Sequence, residues 1–206
     1  MRSDGGLSAE DIVAAMTEGR FSDASDMVAD ALSSGADKVG LINDVIRPAL
    51  EELGRLFDMG EIYLPAMVAA SKILEQLFED MPAEEAYGSP SIIIGTVTSD
   101  IHEIGKNICA AMASSKGYRV INLGCDVPPE KFVEAAEKSG SSVIAVSSAM
   151  KSSLKFQKEV VDLADGMTVF IGGASCSPKW AENIGAAGYS KDCKEFVRLL
   201  AKSSQD

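Results

Sequence analysis

Ser91-Ile92-Ile93-Ile94-Gly95-Thr96-Val97, followed directly by Thr98-Ser99-Asp100-Ile101-His102-Glu103-Ile104-Gly105-Lys106-Asn107, is the stretch on which the fold turns. Its first seven residues form a short β-branched run without polar alternation, the pattern of a strand buried on both faces of a parallel sheet. The polar residues after it lead into a helix expected from about Gly105 to Lys116. Downstream the alternation continues, with strands at Arg119 to Leu123, Ser142 to Val146, Thr168 to Ile171 and Gly188-Tyr189. Helices are expected at Pro129 to Ser139, Ser153 to Leu163, Pro178 to Ile184 and Cys193 to Lys202. Alternating strands and helices call for right-handed crossovers and a doubly wound sheet. Five strands favour the flavodoxin-like (Rossmann-type) order 2-1-3-4-5 with helices on both faces, whose ligands bind at the strands' carboxyl ends.

Upstream the period is helical. Ser8 caps a first helix ending at Gly19, with Ile12, Val13 and Met16 on one face. A second runs from about Ser22 to Ser34 and turns Met27, Val28, Ala31 and Leu32 inward. A third holds Val39, Ile42, Val45, Ile46, Leu50 and Leu53, with a kink expected at Pro48. The fourth begins near Leu64-Pro65 and carries Met67, Val68, Ile73, Leu74, Leu77 and Phe78. Four helices with short connections make an antiparallel bundle. Between the halves, Pro82 to Pro90 is rich in proline, glycine and acids and reads as a linker. The expected division is therefore a helical domain over 1–88 and an α/β domain over 89–206.

Bulk properties narrow the function. The chain has 206 residues, 46% of them hydrophobic and 24% charged, enough to bury a core without staples. A net charge of −12, from 31 acidic against 19 basic residues, disfavours a nucleic-acid partner. Cys109, Cys125, Cys176 and Cys193 form no C-x-x-C pair and there is one histidine, which argues against a zinc site. Such isolated cysteines suggest small buried residues in a reducing compartment. No signal core or membrane-length apolar run is seen, so a cytoplasmic protein with no membrane partner is expected.

Asp100 and His102 stand two residues apart in the loop at the expected ligand edge. A carboxylate bonded to one ring nitrogen fixes the tautomer and makes the other a better metal donor. Gly105 allows close approach of a bulky ligand. Taken alone, a single histidine near a loop is more often a surface or core residue than a ligand. Gly172-Gly173, taken alone, is a tight turn after a strand.

The spacing of the set carries more than its members. Asp100-x-His102-x-x-Gly105 with Lys106-Asn107, then Ser147 at the end of the third strand, then Phe170-Ile171-Gly172-Gly173-Ala174, resembles the cobalamin-binding signature of corrinoid proteins in methyltransferase systems and of methionine synthase. Ile184 to Asp192, including Tyr189, is similar to that family's carboxyl end. Phe57-Asp58-Met59-Gly60-Glu61-Ile62-Tyr63-Leu64-Pro65 resembles its helical cap. The resemblance implies a cobalamin or related corrinoid, cycling between methylcobalamin and cob(I)alamin, with His102 as axial cobalt ligand. It implies cofactor contacts from Asp100, Glu103, Ile104, Gly105, Ser147, Ala149, Gly172, Gly173 and Tyr189. Ser147 would join Asp100 and His102 in a proton relay, and the double glycine would make room for the cofactor's nucleotide tail. Two departures stand out: Ala149 replaces the family's leucine, and Lys151 takes a usually uncharged position. Lys151 faces either the cofactor or solvent. Phe57 and Met59 either cover the upper face of the corrin or belong to the bundle core.

The implied role is methyl carriage rather than a complete enzyme. The methyl group passes from a substrate-specific methyltransferase, for a methylamine or related methylated amine, methanol or a methoxy compound, to a second methyltransferase acting on a thiol or tetrahydrofolate. A reductive activator of cobalt(II) is the third expected partner. The alternative is a cobalamin-binding regulatory or sensor protein, which normally carries a DNA-binding module that this acidic chain lacks. A mutase subunit fits the bundle poorly. A receiver domain needs a phosphoacceptor aspartate where Ser147-Ser148 stands.

Overall fold

The computed structural model describes residues 6–79 and 90–203, so the expected linker, apart from Pro90, and the expected boundary at 88/89 lie outside the described residues. The chain divides into two compact units, one of helices and one built on a sheet.

The helical unit contains Ala9–Thr17, Phe21–Ser33, a helical stretch over residues 38–58, and Leu64–Glu79. The first helix opens on a capping box: Ser8 Oγ accepts the Asp11 N–H at 3.3 Å, and Asp11 Oδ2 accepts the Ser8 N–H at 3.2 Å. The stretch at 38–58 does not simply kink at Pro48. It widens into a π turn over Leu41–Ile46, where the Arg47 N–H reaches back five residues to the Ile42 carbonyl. Pro48 has no N–H to donate and its ring crowds the preceding turn, so the wider turn relieves the conflict before Arg47–Asp58 resumes as an α-helix. Ile12, Met16, Ile46, Leu50, Leu53 and Met67 are the largest fully buried side chains here. Each contributes roughly 1.5–3 kcal/mol by leaving water.

The second unit is a five-stranded parallel sheet: β1 (Ser91–Thr96), β2 (Arg119–Asn122), β3 (Val143–Ser147), β4 (Thr168–Gly172) and β5 (Gly188–Ser190), in the order β2-β1-β3-β4-β5. The expected topology is the observed one. Ile92, Ile93 and Ile94 are all buried because helices cover both faces. Ile92, Ile94, Ala145 and Phe170 pack with Ala110, Ala113, Phe196 and Leu200 from the helices Ile104–Ser114 and Cys193–Ser203. Ile93, Ile144, Val146, Val169 and Ile171 pack with Phe132, Val160 and Ala181 from Pro129–Ser139, Leu154–Leu163 and Pro178–Ile184. A Cβ on Gly95 would stand 2.7 Å from the Phe132 ring, so the helix Pro129–Ser139 lies directly on that strand.

All four cysteines are free and half-buried, not fully buried as expected from their isolation. Burial, with Cys193 and Asp192 nearby, pushes the Cys109 thiol up to about 12. It stays protonated at neutral pH. Among the described residues no helix is long and apolar enough to cross a membrane.

Candidate functional site

The strand ends set the site. Thr96, Ser147, Gly172 and Ser190 lie in one register row across β1, β3, β4 and β5. In-register residues point to the same face, so this row of small residues floors the sheet edge beneath the helices Ile104–Ser114 and Cys193–Ser203. Above it is a cavity of about 480 Å³ lined by Gly105, Cys109, Ser147, Phe170, Gly172 and Cys193, among others. A cavity of that size accepts a small organic group.

Beside this cavity the loop after β1 carries Asp100 and His102. Asp100 has no exposed surface, and its carboxylate meets five hydrogen-bond partners. Oδ1 accepts the His102 N–H at 3.0 Å and sits 2.8 Å from the ring Nδ1. Oδ2 accepts the N–H groups of Ala149 at 2.6 Å and Met150 at 3.1 Å, and faces Ser153 Oγ at 3.2 Å. Burial by itself would raise the Asp100 pKa. The hydrogen bonds from His102, Ala149 and Met150 together outweigh it and hold the carboxyl below its ordinary value. Asp100 is therefore ionised at neutral pH and can only accept. It follows that in the neutral ring Nδ1 carries the proton and Nε2 presents its lone pair. The His102 side chain is 63% exposed, which leaves Nε2 accessible to a ligand. Ile101 and Ile104 in the same stretch of chain, and Met150, whose N–H bonds Asp100, carry exposed apolar side chains.

The expected relay partner is corrected. Ser153, not Ser147, approaches Asp100, and Ser153 Oγ is 2.7 Å from Ser148 Oγ. Ser147 shares its face of the sheet with Gly172 and borders the cavity. Strand geometry explains the exchange. The last residue of β3 points into the slot, while the short 3₁₀ turn Lys151–Ser153 brings a later serine back to the carboxylate.

The other expected residues fall in different places. Gly105 is exposed, and a Cβ there would meet nothing within 4 Å. Gly172 is tight, because a Cβ would sit 3.2 Å from the Ser190 carbonyl oxygen and hydroxyl. Gly173 has φ +112 and packs on Ser148, whose carbonyl oxygen a Cβ would strike. The second glycine thus serves the backbone of the protein itself, beyond any room it leaves for a ligand. Ala149 contributes its N–H to Asp100 and its carbonyl to Ser175 Oγ at 2.7 Å. Glu103 is exposed, and Lys151 is exposed. Tyr189 borders the cavity while its side chain packs against the core around Ile171, and Ser190 shares a register row with Gly172. In the helical unit Phe57 is half-buried, while Met59 is 50% exposed with Sδ 3.2 Å from Arg55 Nη1.

Two residues that shape the site, Thr96 and Gln157, escape the sequence reading, and a third, Lys106, stands in the motif without an assigned role. Buried Thr96 donates to the His102 carbonyl at 2.9 Å. Gln157, also buried, donates to the carbonyls of Val146 at 2.9 Å and Gly172 at 3.2 Å and accepts from Trp180 Nε1 at 3.0 Å. Lys106, 3% exposed, holds Asn107 and Asn122 at 2.6 and 2.7 Å. Neither Thr96 nor Gln157 sits in a spacing pattern that would single it out.

Comparison with known proteins agrees with this geometry. Residues 90–196 match a family described as a B12 binding domain, and residues 8–79 match a second family of the same description. A corrinoid protein of Desulfitobacterium hafniense is 34% identical over 94% of this chain and 90% of its own length. Dimethylamine corrinoid protein 2 of Methanosarcina mazei is 36% identical over 76% of this chain and 78% of its own. Among solved structures, the methanol:cobalamin methyltransferase complex of Methanosarcina barkeri superposes with a TM-score of 0.72 at 25% identity, covering 93% of this chain and 77% of that one.

Proposed function

The chain belongs to the corrinoid-binding proteins of methyltransferase systems, and from that premise we propose that it carries a methyl group between two methyltransferases on a corrinoid that His102 would hold. The cofactor is cobalamin or a related corrinoid. The residues fit it. A ring with one nitrogen fixed by a buried anion and the other open is a prepared axial donor, and the exposed apolar trio suits the flat face of a macrocycle. The observation that carries the reading is the Asp100 carboxylate, ionised and held on five sides while aiming the histidine.

When bound, the corrinoid supplies the cobalt that takes up and releases the methyl group. His102 Nε2 would hold the cobalt through its lone pair. The Asp100 carboxylate keeps the Nδ1 proton in place and raises the basicity of the ring, and Ser153 steadies the carboxylate. Gly172, Ser147 and Ser190 leave room in the slot for the nucleotide tail. The methyl donor is a methylated amine, a preference supported by the dimethylamine corrinoid relative. The first partner is the methyltransferase specific for that donor. The second passes the methyl group to a thiol or tetrahydrofolate, and a reductive activator restores over-oxidised cobalt.

The test is reconstitution with hydroxocobalamin. Wild-type protein is expected to retain the corrinoid through desalting, and His102→Ala is expected to change its visible spectrum. A wild type that retains none contradicts the reading, as does an unchanged spectrum in the variant.

A further inference from the structure

Ser99 and Asp126 are the non-glycine residues with positive φ among the described residues, at 63° and 56°. Each such conformation costs free energy and persists only where surrounding contacts enforce it. The two are bonded to one another. The Ser99 N–H donates to Asp126 Oδ1 at 2.7 Å, and the Asp126 N–H donates to the Asp100 carbonyl at 3.0 Å. Alongside, Thr98 Oγ1 donates to the Val127 carbonyl at 3.1 Å, and Val97 pairs with Val127 in a parallel bridge. One residue from the loop after β2 therefore grips the backbone on both sides of the Ser99–Asp100 peptide. That peptide sets where the Asp100 carboxylate enters its pocket of N–H donors, and hence where the His102 ring points.

From this geometry we infer that Asp126 is a positioning residue for the axial ligand: its carboxylate and its N–H hold the Ser99–Asp100 backbone in the strained form that aims His102. The inference rests on the reading of His102 as cobalt ligand and adds to it a residue that touches neither metal nor corrin. Asp is suited to the task, because it tolerates the left-handed conformation and supplies an acceptor at once. Asn keeps both properties, Gly keeps the conformation alone, and Ala keeps neither.

The test compares Asp126→Asn, Asp126→Gly and Asp126→Ala. His102 is the sole histidine, so one imidazole spin system reports on it. Long-range proton–nitrogen NMR of the cofactor-free protein is expected to show the ring proton on Nδ1 in wild type and Asp126→Asn, with mixed tautomers in Asp126→Ala. In parallel, the Kd for hydroxocobalamin is expected to stay within about twofold for Asn, to rise about threefold for Gly and to rise about tenfold for Ala, reflecting one lost hydrogen bond and then added strain. If Gly matches wild type in both measurements, the carboxylate does no positioning and the inference falls. It also falls if Ala folds and keeps the wild-type tautomer and affinity; if Ala does not fold, the Asn and Gly pair decides. His102→Ala separates this from the parent reading: wild-type binding with a cobalt spectrum indifferent to His102→Ala defeats the parent reading whatever the Asp126 variants show.

Discussion

The two sides of the carboxyl edge of the sheet are built by opposite means. The His102 loop is held by polar contacts, with a buried anion at its centre that accepts from His102, Ala149, Met150 and Ser153. The neighbouring slot is made by leaving side chains out, with Thr96, Ser147, Gly172 and Ser190 in one row and Gly173 against Ser148. On the proposed reading one region aims a ligand and the other admits one. Damage to the first should therefore change what coordinates the metal, and damage to the second should change whether the corrinoid stays.

The largest expected effect tests the slot. Gly173→Ala places a methyl group against the Ser148 backbone at φ +112, and urea unfolding of the cofactor-free protein should show a loss of about 3 kcal/mol. A loss below about 0.5 kcal/mol would mean that the slot wall yields and that the two regions are not so different. Next comes the loop. Asp100→Asn offers an amide donor to groups that are themselves donors, so a loss of about 2 kcal/mol is expected, together with departure of the His102 ring proton from Nδ1.

A sharper comparison sets two serines side by side. Ser153→Ala should cost about 1 kcal/mol in the same unfolding measurement, because a hydroxyl bonded to the buried carboxylate is lost. Ser147→Ala should fall within about 0.5 kcal/mol of wild type, since its side chain borders a cavity. Equal effects would blur the division between the regions. The smallest expected effect is the response to pH. The folded Asp100 pKa is depressed, so its contribution to stability is complete above the unfolded value of about 3.9 and is lost as pH falls through the folded value. The stability difference between wild type and Asp100→Asn should thus hold steady from neutral pH down to about 5 and shrink below about 4. A difference that fades already near pH 6 would show that the carboxyl is not held ionised.

Most of the sheet was legible from the chain, because apolar runs between helical patterns report strands buried on both faces. The Asp100–His102 pair was legible for a related reason: contacts within one loop depend on spacing alone. What escaped depends on register and long-range closure. Ser147 looked like the relay serine until the parity of β3 turned it into the slot and the turn at Lys151–Ser153 brought Ser153 to the carboxylate. Tyr189 borders the cavity, and its pairing with Ile171 and packing on that core are likewise matters of register. Asp126 binds Ser99 across 27 residues, and no local pattern announces such a contact. The π turn ahead of Pro48 replaced a simple kink because the helix found a wider path around the missing N–H.

The central claim is that cobalt takes its lower ligand from His102 and not from the cofactor's own base. It is tested most directly by loading protein grown on nitrogen-15-labelled histidine with cobalamin, reducing it to the cobalt(II) state and recording the electron paramagnetic resonance spectrum. One labelled ring nitrogen on cobalt splits each cobalt line into a doublet, and that doublet is the predicted result. A triplet, the mark of an unlabelled nitrogen from the cofactor, or no nitrogen splitting at all, would contradict the account.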